Sequence, residues 1–261
     1  QLSSNTNNNN LTASTSSGNI SLSSINAGTG DVVLTSTLGS ILDADVSSDS
    51  SANVVADSLT MVSKTGIGAT GTNGDLDTTV STLVPSVTDS GVLIITDSSA
   101  VSLSSTSTTS GDITIATTDG ILSVQGSVSS SSGNISLTGD DGVSHSATGD
   151  INTGSTGTIT VAATAGDVSM VDDTIYTASG GAVAITGGTN VALGKIVNPT
   201  GTTSVTATAG GISDSTSAEG SGNENISGTT ITLSSATGIG ASGAANDIDL
   251  AATTILASDS G

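Results

Sequence analysis

The chain has 261 residues, no Trp, Phe or Cys, a single Tyr, and 23 acidic residues against two lysines, for a net charge of -21. That balance excludes nucleic acid as a partner, because nothing is present to neutralise phosphates, and it argues against anionic membrane surfaces. No run approaches the roughly 18 apolar residues of a membrane span, and with 34% hydrophobic residues and a mean hydropathy of +0.21 the chain is too apolar for the charge-rich disordered class.

Residues 1–10, QLSSNTNNNN, carry no apolar periodicity and read as a linker or frayed end. The alternative for the Asn run is a stacked ladder inside a coil. From Leu11 to Gly261 the pattern is continuous. Runs of Ile, Val and Thr alternate with Gly, Asp, Asn and Ser, the grammar of short strands and turns. No stretch has a helical period. The unit is Gly111-Asp112-Ile113-Thr114-Ile115, which returns as Gly18-Asn19-Ile20-Ser21-Leu22, Gly133-Asn134-Ile135-Ser136-Leu137 and Gly157-Thr158-Ile159-Thr160-Val161. Alternation places Ile20, Leu22, Ile113, Ile115, Ile135, Leu137, Ile159 and Val161 inward, and Ser21, Thr114, Ser136 and Thr160 outward. The glycines are expected at corners that need positive φ.

Aliphatic anchors at Ile113, Ile135, Ile159, Val183 and Val205 are 22, 24, 24 and 22 residues apart, with weaker anchors at Ile121, Val143, Ile151 and Val168. Self-similarity at such a period marks a solenoid. The expected fold is all-β: a right-handed parallel β-helix of about 20–25 residues per coil. It should have about 11 or 12 coils and span about 55 Å at about 4.8 Å per coil. Its core would be aliphatic columns, since aromatic rings are almost absent.

A longer repeat lies above this one. Residues 59–83 align without gaps to 231–255, an offset of 231 − 59 = 172, and Leu34 to Ile41 matches Val205 to Ile212 at an offset of 171. The second copy breaks off at Ser258-Asp259-Ser260-Gly261. Its counterpart in the first copy runs on into Val92-Leu93-Ile94-Ile95-Thr96, so further modules are expected beyond Gly261. The strand units, the turn Thr65-Gly66-Ile67-Gly68-Ala69 and the stretch from Asp75-Leu76-Asp77 to Ser90-Gly91 resemble the β-helical stalk repeats of large bacterial surface adhesins of the filamentous haemagglutinin type. The resemblance implies a fold and an extracellular, cell-surface location, and no activity.

Several residues invite chemistry. Calcium is the most plausible ligand, taking six to eight oxygens. The candidates are Asp43, Asp45 and Asp49, Asp75 and Asp77, Asp140 and Asp141, and Asp172 and Asp173. The plainer reading is solvated acids on loops, with no cofactor required. His145, the only histidine, reads as a polar turn residue rather than part of a Ser-His-Asp triad. A glycan-cleaving site would need Lys195 to be aligned with Asp172 or Asp173. Thr-x-Thr occurs at Thr35/Thr37, Thr106/Thr108 and Thr206/Thr208, too sporadically for an ice-binding array.

The expected role is therefore a structural stalk or filament segment of a giant surface protein, not an enzyme. Its partners would be flanking repeats of the same polypeptide, with lateral or end-to-end self-association. The rival is a binding module with an adhesive or ice-binding face; a glycan-cleaving β-helix enzyme comes third.

Overall fold

The computed structural model describes residues 2–5, 8–44, 51–71, 73–217, 222–241 and 247–260; Asp45, Asp49 and Gly261 lie outside them. Among the described residues there is no helix, and hence none long and apolar enough to cross a membrane. Every strand joins one parallel sheet, wound into a β-solenoid of about 10 turns.

The winding follows from alternation. A short strand can bury only one side, and parallel stacking on the next turn satisfies its backbone donors and acceptors. One column runs Ile20, Ile41, Ile67, Leu93, Ile113, Ile135, Ile159, Val183, Thr203, Ile231, Ile255, each residue paired with the next. A second runs Leu11, Val32, Leu59, Leu83, Leu103, Val124, His145. All eight predicted inward residues are buried; Ser21, Thr114 and Ser136 are half-buried and Thr160 is exposed.

The turns are less uniform than the period implies. They run from 20 residues (203 − 183) to 28 (231 − 203), so the chain makes fewer of them than the 11 or 12 expected. Val205 stacks on Ile185, not on Val183, whose partner is Thr203. Both residues face inward, so alternation alone could not choose between them. Ile121 is 43% exposed, and its neighbour Leu122 takes the inward place above Val143. Leu2–Asn5, expected within a linker, form a strand paired to Ile20–Asn26. Two exposed asparagines of the run tie it to the next turn: Asn8 Oδ1 accepts from the Thr29 backbone N–H (3.2 Å) and Asn10 Oδ1 from the Asp31 N–H (2.9 Å).

In the stacked copies from Gly111 to Gly181 the glycine that opens the repeated unit is required for another reason than positive φ, unlike Gly18, whose φ is +82°. Gly111, Gly133, Gly157 and Gly181 are stacked one above another. A Cβ on any of them would collide with the carbonyl oxygen of the glycine in the turn before, Gly91 for the first. Their φ lies outside the left-handed region. Inward hydroxyls finish the corner: Thr108 and Ser130 donate to the Gly111 carbonyl (2.7 and 2.9 Å) and Thr153 to that of Gly133 (2.8 Å). Thr106 and Thr108 thus belong to the interior, not to an outer array.

One bond set recurs at the offset of the long sequence repeat. Asn53 Nδ2 donates to Asp43 (2.8 Å), and Asn53 Oδ1 accepts from the Asp77 N–H (2.9 Å). Asn225 bridges Asp214 (2.6 Å) and the Asp249 N–H (2.8 Å) in the same way. The offsets are 225 − 53 = 172 and 249 − 77 = 172. Each Asn, one residue ahead of its strand, ties adjacent turns together.

Candidate functional site

The sequence-predicted acids are dispersed. Asp43 is 8% exposed and held by Asn53. Asp75 and Asp77 line a groove of about 450 Å³ with Ser51, Thr78, Thr96 and Ser98, and the Thr96 hydroxyl donates to Asp75. Asp140 and Asp141 sit where the chain turns from Ile135–Gly139 into Gly142–His145, their backbone N–H groups bonded to Thr117 Oγ1 and to the Gly120 carbonyl. Among the described residues no three His, Asp or Glu side chains converge as a metal site would require.

The stack does bring Lys195 to Asp172 and Asp173. All three line a groove of about 200 Å³ with Thr216 and Asn223. Lys195 Nζ is turned to the Gly222 carbonyl (2.9 Å), and Ser217 Oγ donates to Asp172 (2.6 Å), which holds that carboxyl below its usual range. A glycan-cleaving groove would also use aromatic platforms. The only tyrosine, Tyr176, is fully buried.

His145 is not a turn residue. It ends the strand Gly142–His145, is 4% exposed, and occupies the aliphatic column beside Val124. Its Nδ1 lies 3.1 Å from the Ser169 carbonyl and its Nε2 2.8 Å from Tyr176 Oη, with ring centroids 5.3 Å apart. A carbonyl only accepts, so Nδ1 carries the proton and Nε2 accepts from the tyrosine hydroxyl. No carboxylate is among these partners, so the arrangement is not a catalytic triad. Burial lowers the His145 pKa to about 4 and raises that of Tyr176.

Asp97 is a second buried titratable group, and nothing in its sequence context marked it. It is completely buried in the column between Thr78 and Thr117. Its carboxylate accepts from Thr78 Oγ1 (2.7 Å), the Val80 N–H (3.0 Å), and the Ser99 N–H and Oγ (both 2.8 Å). Burial raises its pKa despite these four bonds.

The two groups respond to acid with opposite signs. His145 is depressed, so its contribution to stability is complete above the ordinary value of about 6.5. It is lost as pH falls from there towards about 4, a loss on the order of 3 kcal/mol. Asp97 is raised, so its contribution is present at low pH and is lost as pH rises through its folded pKa.

Much of the outer surface is free of charge, the stacked strands at 106–108, 128–130, 151–153, 176–178, 196–198 and 226–228 included. Over positions 158–164, 182–188, 202–208 and 230–236 the stacked strands carry no charged residue. Thr160, Ala184, Ser204 and Thr232 form one outward column, and Ala162, Thr186, Thr206 and Ser234 the next.

No protein-family model, no curated protein and no solved structure matches the chain.

Proposed function

We propose that the chain is a structural segment of an extracellular stalk or filament on a bacterial surface. One observation carries this reading: a single ladder of paired residues runs from Ile20 to Ile255 through every turn. Axial hydrogen bonds and stacked aliphatics resist extension along the rod, and an exterior carrying most of a -21 charge keeps rods apart. Electron microscopy with antibody labelling of intact cells tests it. Purified protein should appear as rods about 50 Å long, from about ten turns at about 4.8 Å, and the label should lie outside the cell. Label confined to the cell interior would overturn the reading.

A binding module is the second reading, favoured by the charge-free face of Thr160, Ala184, Ser204 and Thr232. Its hydroxyl and methyl groups repeat about every 4.8 Å between turns and about every 6.6 Å along each strand. That regularity suits an ordered water lattice better than a charged partner. Purified protein should then shape growing ice crystals. Thr160→Lys with Ser204→Lys should abolish the shaping without lowering the melting temperature, since both side chains are exposed. Unshaped crystals with folded wild-type protein would remove this reading.

A further inference from the structure

We propose that the His145–Tyr176 pair makes the turns around it an acid-sensitive joint, which opens on proton uptake while the turns on either side stay paired.

The geometry leaves no place for the added proton. Both bonds of the neutral imidazole are committed, Nδ1–H to the Ser169 carbonyl and Nε2 to the Tyr176 hydroxyl. A proton on Nε2 turns that acceptor into a donor. The tyrosine oxygen would have to accept, and its own hydrogen would then point into an aliphatic core. A buried donor without a partner is costly, and a buried unpaired charge more so.

No charge is placed to stabilise an imidazolium. Strands Ile121–Val124 and Asp167–Ser169 flank Gly142–His145 in the ladder. Ile135–Gly139 and Ile159–Ala163 also pack against it, and Ile151–Thr153 pairs with the strand that carries Tyr176. The inward residues of these strands are aliphatic, Gly139 or Thr153, and the one other titratable group turned inward is Tyr176. The acids on these strands or next to them are Asp119, Asp140, Asp141, Asp150, Asp167, Asp172 and Asp173, all exposed or half-exposed; Lys195, half-exposed, pairs beside Ile175.

Opening at this place can stay local because each turn contacts only its neighbours. The strands here are also short. Asp167–Ser169 and Ile151–Thr153 have 3 residues each, against 10 in Val54–Ser63 and in Ile226–Ser235. Each of these strands can therefore part from its partner by breaking fewer ladder bonds than a long strand would.

Backbone hydrogen exchange at about pH 5 and about pH 7.5, corrected for intrinsic rates, tests the proposal between the ordinary histidine and carboxylate ranges. In wild-type protein, segments 121–124, 142–145 and 167–178 should lose protection at the lower pH, while 54–63 and 226–235 keep it. The near-ultraviolet circular dichroism of the single tyrosine should fall with them, while the far-ultraviolet strand signal remains. His145→Val, which continues the aliphatic column, should remove the pH difference. Uniform loss of protection, unchanged protection of 142–145, or the same local loss in a folded His145→Val would each overturn the joint. If that variant does not fold, the imidazole resonance of wild-type His145 decides. Titration near the ordinary value with the tyrosine signal intact would overturn the proposal; titration in step with loss of that signal would support it.

Discussion

Replacing Ile135 by aspartate should lower the stability of the whole chain by roughly 3–5 kcal/mol, the scale of an uncompensated buried charge. Ile135 is completely buried, with Ile113 on one side of its column and Ile159 on the other. The carboxylate would enter an interior with no cation to meet it, because both lysines are only half-buried on the outside of the winding. The contrast with Asp97 is informative. That carboxylate is equally buried but holds four donors supplied by Thr78, Val80 and Ser99. No such set surrounds position 135. Thermal melting followed by far-ultraviolet circular dichroism measures the effect, with Ile135→Val as the control at about 1 kcal/mol. A melting temperature unchanged by Ile135→Asp would mean that the inward register of this strand is wrong.

The second large effect is expected from Gly133→Ala, a change of one methyl group. Its Cβ would lie inside contact distance of the Gly111 carbonyl oxygen and 2.8 Å from Ser130 Oγ. The side chain could rotate away, but the backbone oxygen could not. Two turns would have to separate, or the corner would lose the bond from Ser130 to Gly111. The expected cost is roughly 2–4 kcal/mol, at the upper end for inserting one carbon into a packed interior. Gly18→Ala is the matched control. Gly18 has φ +82°, and a methyl group added there would meet nothing within 4 Å, so only backbone strain applies, about 1–2 kcal/mol. Equilibrium denaturation of the two variants should rank Gly133→Ala clearly below Gly18→Ala. The reverse order would show that close stacking of the turns is not what requires a glycine at position 133.

Much of the winding was legible in the chain itself. The unit Gly133-Asn134-Ile135-Ser136-Leu137 already states a corner, a strand and the side that is buried. A period-2 pattern cannot be satisfied by a helix, and an all-aliphatic interior suits only a thin core. The order along the chain therefore determined the class of fold and, within each strand, which residues point inward. It did not determine which residue lies above which. Thr203 and Val205 have the same parity, and only the length of the preceding corner sets Thr203 against Val183. Corners vary because each is closed by different side-chain bonds, such as Asn198 Nδ2 to the Gly181 and Thr202 carbonyls. The same limit hid the interior polar groups. His145 and Tyr176 are 31 residues apart and meet only because successive turns of different length bring them together. Lys195 reaches the groove of Asp172 and Asp173 for that reason too. Alternation is a property of one strand and can be read from its residues. Contact between turns is a property of the stack, decided by how much chain each corner consumes.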